Sequence, residues 1–189
     1  APNTVCSTTA PPQIRQVAHN PRQPKSTEAV TVTAKVTDPQ GVGQVQLLYQ
    51  VVAPGDFIPA RFPRTRDQIL ADPRGERPAN PAFEDPANWT GVAMVDDGSG
   101  ADAVAGESVF TGTVPAPAHR TLVRYRIAAT DLGGASLRVP YADDPSLNFA
   151  WFVYDGVPDY VASAASVAPG GAGKVWPKQL LTSVPVYHW

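Results

Sequence analysis

The residues best suited to chemistry lie in V-D-D-G-S-G-A-D-A-V-A-G-E, where Asp96, Asp97, Asp102 and Glu107 put several carboxylates on one short stretch. Hard oxygen ligands gathered in this way suit Ca²⁺. The spacing departs from a calcium-binding helix–loop–helix, which needs acids at alternate positions followed by glycine. Asp and Gly in such a run also fix tight turns through hydrogen bonds from backbone N–H to the side chain. The turn reading is favoured, and Ca²⁺ remains the one candidate cofactor.

Other catalytic patterns fail on context. His19, His119 and His188 have no partners at metal-ligand spacing. No serine occupies a G-x-S-x-G elbow, and Cys6, the only cysteine, lies in an N-terminal arm and cannot form an internal disulfide. Asp143-Asp144 beside Pro145 reads as a solvated turn. Gly98 to Ala103 formally fits a dinucleotide fingerprint, but a β-branched run follows it where a helix is required. Gly170 to Lys174 lacks the residues a phosphate loop needs. The expectation is that the chain is not an enzyme.

Binding chemistry has more support. Trp89, Trp151, Trp176 and Trp189 could stack on sugar rings, although Trp89 and Trp151 fall in expected strands and are assigned to the core. From Ala53 to Asn88 runs a proline-punctuated segment without strand alternation, longer than the usual connection in a compact domain. Long insertions on rigid scaffolds often carry function; equally, this one could blunt an open sheet edge. Arg61, Arg64 and Arg66 in it, with Trp89 and Trp176, are the candidate binding residues. Thr65-Arg66-Asp67-Gln68 resembles a capping box and predicts one short helix ending at Asp72-Pro73.

The elements that must position these residues are strands. Residues 28–37 alternate with Val30, Val32, Ala34 and Val36 on one face, and 44–52 with Val45, Leu47, Tyr49 and Val51. Asp38-Pro39-Gln40-Gly41 supplies the turn between them. Further strands are predicted over 13–19, 89–95, 108–114, 121–130, 135–139 and 148–154. Val123, Tyr125, Ile127 and Ala129 point inward, with Arg124 and Arg126 outward; Phe149, Trp151 and Val153 take the core side of the last strand. About eight short antiparallel strands predict an all-β, immunoglobulin-like sandwich over 13–155, with the insertion at 53–88. Residues 1–12 read as a flexible arm, and 156–189 as linker and extension, including a helix from small residues over 161–168. The 21 prolines cluster between the apolar runs, as a chain of strands and ordered loops requires.

Charge excludes one class of partner. At a net −2 and 17% charged residues, no basic stripe exists to neutralise nucleic acid phosphates. No apolar run reaches the roughly twenty residues of a membrane span.

V-T-V-T-A-K-V-T-D-P-Q-G-V-G-Q-V-Q-L-L-Y, the acidic stretch through V-F-T-G-T-V-P, and V-R-Y-R-I-A-A-T-D resemble, in that order, immunoglobulin-like or fibronectin type III-like modules of large bacterial exported proteins. The closing L-T-S-V-P-V-Y-H-W is similar to the entry segment of spore coat protein H-type kinase domains, which often follow such a module. The resemblance implies an accessory module, secreted or at the cell surface, whose partners are a neighbouring domain or protein, or a polysaccharide. No phosphate-binding lysine or metal-binding aspartate motif of the kinase is present, so kinase activity does not carry over.

Overall fold

The computed structural model describes residues 10–162 and 173–182. Contacts divide the chain into two units, one ending at Tyr154 and one starting at Asp155. The first contains two antiparallel sheets. One has β1 (Gln13–Asn20), β2 (Val30–Thr37) and β5 (Val109–Val114) in that spatial order. The other runs β4 (Thr90–Met94), β3 (Val42–Val52), β6 (Leu122–Asp131), β7 (Ser136–Val139), and β8 (Phe149–Phe152) also pairs with β6. Two short strands thus share one edge of β6: β7 takes Ile127 to Thr130 and β8 takes Leu122 to Tyr125.

Period-two burial builds this architecture. Val30, Val32, Ala34 and Val36 are fully buried and meet Val45, Leu47, Val123, Tyr125, Ile127 and Ala129 in one core cluster. The predicted turn is present: the Gly41 N–H donates to the Asp38 carbonyl at 3.2 Å, and the Gln40 N–H donates to Asp38 Oδ1 at 2.7 Å. It carries the chain from one sheet to the other. A paired bridge, Val95 with Thr111, ties the sheets together at the end of β4. Gly112 lies beneath Met94: a Cβ there would stand 3.0 Å from Met94 Cγ, so glycine lets the two layers meet without Met94 having to give way. In the edge strand β1 the register slips between Arg15 and Ala18, and Gln16 takes a φ of 51°, a bulge of the kind that blunts sheet edges.

Two readings of facing need correction. Val51 is 50% exposed, whereas Gln50 and Val52 are buried, because the insertion covers the other face of the sheet from this point. Arg124 and Arg126 do point away from the core, yet they are only 3% and 2% exposed. The insertion lies over the outer face of β6 rather than along an edge. It contains α1 (Arg66–Ala71), opened by the predicted box: Thr65 Oγ1 accepts from the Gln68 N–H, and Gln68 Oε1 accepts from the Thr65 N–H. It also contains α2 (Pro81–Glu84) and a 3-10 turn (Pro86–Asn88).

The second unit has β9 (Tyr160–Val161) pairing antiparallel with β10 (Val175–Trp176), then α3 (Lys178–Leu181). Cys6, most of the arm, the expected small-residue helix beyond Ala162, most of the glycine linker, His188 and Trp189 lie outside the described residues.

Candidate functional site

Alternation along β6 sends Arg124 and Arg126 onto the sheet face that the insertion roofs. An Asn-Pro pair starts α2. Asn80 Oδ1 accepts from the Ala82 N–H at 3.1 Å, Asn80 Nδ2 donates to the Pro59 carbonyl at 2.8 Å, and Pro81 takes the first helical position. This cap drives Phe83 down between the two guanidinium groups, 4.9 Å from Arg124 and 4.6 Å from Arg126, measured to the ring centroid. Trp89 covers Arg126 from 4.2 Å and meets Phe83 edge to face, while its Nε1 donates to the Phe83 carbonyl at 2.8 Å.

The two arginines are satisfied differently. Arg126 makes a bidentate pair with Glu84, Nη2 to Oε1 at 2.8 Å and Nη1 to Oε2 at 2.9 Å, and its Nε donates to the Leu147 carbonyl at 2.9 Å. Arg138 joins the same carboxylate at 3.0 Å. Burial pushes the Glu84 carboxyl upward, but the hydrogen bonds and charge of Arg126, with Arg138 behind it, hold it below its ordinary range.

Arg124 has no carboxylate. Its Nη1 donates to the Ile58 carbonyl at 2.8 Å, its Nη2 donates to Gln50 Oε1, and its buried Nε has no partner. Burial, then the neighbouring charge of Arg126, pull its pKa down. Phe57 lies over its guanidinium at 4.8 Å and is itself 58% exposed.

Beside Arg124 opens a groove of about 900 Å³ between the insertion and the 142–148 loop. Phe57, Arg61, Arg77, Arg124, Asp143 and Asn148 are among the residues that line it. The groove's wall residues come from segments far apart in sequence, brought together by the roof.

The candidates from sequence are scattered by comparison. Asp96 accepts from the N–H groups of Gly106, Glu107 and Ser108, at 2.8 to 3.2 Å, which closes its loop. Asp97 accepts from Ser99 and Asp102 from the Gly98 N–H at 2.7 Å; the Ser99 hydroxyl and N–H hold the Asp97 carboxyl below its ordinary range. Glu107 joins through its backbone alone. No group of three or more acids, histidines or cysteines is placed to hold a metal ion among the described residues.

Arg61 lines the groove and pairs with the exposed Glu76 at 3.0 Å. Arg64 instead binds backbone, donating to the carbonyls of Pro73 and Gly75 and, closely, to those of Gln68 and Asp72, which fastens α1 to the chain that follows it. Arg66 is the exposed first residue of α1. Trp89 sits outside β4, on the outer face with Arg126, rather than in the core as its expected strand position implied. Trp176 belongs to the second unit, where Lys174 Nζ stands 4.2 Å from its ring. Reading the sequence missed Phe57, Arg77, Phe83, Glu84, Arg124 and Asn148. The Asn80-Pro81 and Asp85-Pro86 pairs were the available signal for the turns that bring Phe83 and Glu84 down.

A comparison with protein-family models found no match, and neither did one with curated proteins. Among the described residues, no helix is long and apolar enough to cross a membrane.

Proposed function

We propose that this chain is a non-catalytic immunoglobulin-like module, of the fibronectin type III-like kind, in an exported bacterial multidomain protein, where it serves as spacer and interaction surface. The strand order supports the architectural part. With β1 to β7 lettered A, B, C, C′, E, F and G, one sheet is A-B-E and the other C′-C-F-G, the C′ strand having joined the sheet of C, F and G. The resemblance of the three strand motifs to bacterial exported modules carries the secreted or cell-surface assignment. The similarity of the closing residues to a kinase entry segment makes a following domain one natural partner.

The observation that carries the interaction role is the groove. A roof that only covered β6 would close flush against the neighbouring loop. This one leaves about 900 Å³ open, floored by a buried arginine and edged by an exposed phenylalanine. The test sets the wild-type chain against a Phe57→Ala/Arg77→Ala double variant on glycan and peptide arrays, with thermal melts as control. The expected result is a ligand that the wild type retains and the double variant loses while still melting cooperatively well above the assay temperature. No binding on either array, or binding that ignores both substitutions, would remove the groove from the reading.

A further inference from the structure

We infer that the groove binds an acidic sugar, a hexuronate residue of a polysaccharide; this rests on the groove being the module's interaction surface. Charge comes first. The outer face of β6 and its groove gather five arginines, at 61, 77, 124, 126 and 138, against four carboxylates, those of Glu76, Glu84, Asp143 and Asp144. Arg61 is paired with Glu76, and Arg126 and Arg138 share Glu84. Asp144 spends an oxygen on the Tyr141 N–H at 2.7 Å, within its own loop. Arg124 is left as a buried cation held only by neutral oxygens, with one N–H unsatisfied. Buried charges are otherwise paired, because leaving one without a counter-charge is costly. Arg124 therefore lacks a carboxylate partner of its own, and it borders an open groove.

Shape gives the second half. Phe57 has one face on Arg124 and is otherwise open to solvent, which suits the apolar face of a pyranose ring. The same groove is lined by Arg77, Asp143 and Asn148, the Asn148 Nδ2 donating to the Phe149 carbonyl at 3.1 Å and keeping its second N–H and its oxygen for other partners. A donor fork, an acceptor and an amide that does both match a ring with hydroxyls on its rim and a single carboxylate. Phosphate fits less well: it brings nearly two negative charges to a groove that already carries Asp143 and Asp144, and it has no apolar face for Phe57. A run of acidic residues such as hexaglutamate has no ring to set on Phe57.

Isothermal titration of the whole chain tests this with tetragalacturonate, tetraglucuronate, the methyl ester of the first, a neutral galactose tetramer, hexaglutamate and inorganic phosphate. One of the two uronates is expected to bind about tenfold or more tighter than the ester and the neutral sugar. Phe57→Ala and Arg77→Ala, each still melting cooperatively well above the titration temperature, are expected to weaken that binding about tenfold, and added salt to weaken it further. Equal binding of acid and ester, tighter binding of hexaglutamate or phosphate, or no heat from either uronate up to about 10 mM would overturn the inference. Binding of hexaglutamate or the neutral sugar that Phe57→Ala abolishes would sink the uronate while leaving the interaction surface in place. Silence from every ligand here and on the arrays would sink both.

Discussion

The two faces of β6 come from the same strand, and at its middle, where Arg124 and Arg126 lie, both are buried by opposite means. Inside, Val123, Tyr125, Ile127 and Ala129 lock into a core of valines, leucine and aromatic rings. Outside, Arg124 and Arg126 are as hidden as any of them, yet they are covered by Phe57, Phe83 and Trp89 and tied by a carboxylate and backbone carbonyls. The inner face needs only shape and apolar surface. The outer face works because guanidinium groups are planar and weakly hydrated, so they stack under aromatic rings while keeping their donors in use. The difference teaches that burial along a strand does not identify the core. A second, polar layer can be built on the back of a sheet when an insertion supplies rings and acceptors.

The comparison can be broken most severely from the inside. Tyr125→Ala removes a ring packed between Phe149 and Trp151 and bonded through its hydroxyl to His19 Nδ1 at 3.0 Å. It is expected to lower unfolding free energy by about 3–5 kcal/mol in denaturant titrations; a loss under about 1 kcal/mol would mean that the inner face does not hold the fold.

On the outer face, Arg126→Ala opens a gap beneath Phe83 and Trp89 and leaves Glu84 with Arg138 alone. Because Glu84 is about half exposed, it can turn to water, so the expected loss is about 2–4 kcal/mol, smaller than for a fully buried partner. Arg126→Met keeps the volume under the rings and separates bulk from charge. A cost under about 2 kcal/mol would make packing the larger part of what the roof gains from this arginine.

The smallest effect belongs to Glu84→Gln. The folded carboxyl sits below its unfolded value, so its stabilisation is present above about pH 4.3 and fades as pH falls through the folded value. Half-exposed as it is, it contributes at most about 1 kcal/mol. Wild type is therefore expected to lose about that much more stability on acidification than the Gln variant, whose other carboxylates, Asp97 among them, still titrate. Identical pH profiles for the two would show that the roof is held without the ion pair.

Much of the inner face was legible in the chain. Val30, Val32, Ala34 and Val36 alternate without interruption, as do Val123 to Ala129, and a period of two has one meaning when a face is buried. The Thr65–Gln68 capping box was equally plain, since a cap is a local hydrogen-bond pattern. Val51 failed because the same alternation continues past the point where the other face becomes the covered one. The acidic loop at 96–107 was read from its local turn chemistry, and its carboxylates do accept backbone N–H groups. Arg124 and Arg126 could not be recognised as buried, because a charged residue alternating with apolar ones is the ordinary pattern of a strand with one wet face. The groove was further still from view: Phe57, Arg77, Asp143 and Asn148 share no spacing.

What the sequence alone determined is the pleated sandwich. Strand alternation, turn residues and caps are set by neighbours a few positions apart, and each strand's apolar side has only one place to go. What the tertiary structure decided is the fate of the other side. Whether an arginine on the back of β6 meets water or a phenylalanine depends on where an insertion some forty residues earlier comes to rest, as the Arg126 and Glu84 contact across 42 positions shows. That placement follows from long-range packing and pairing of charge, which leave no periodic mark on the chain.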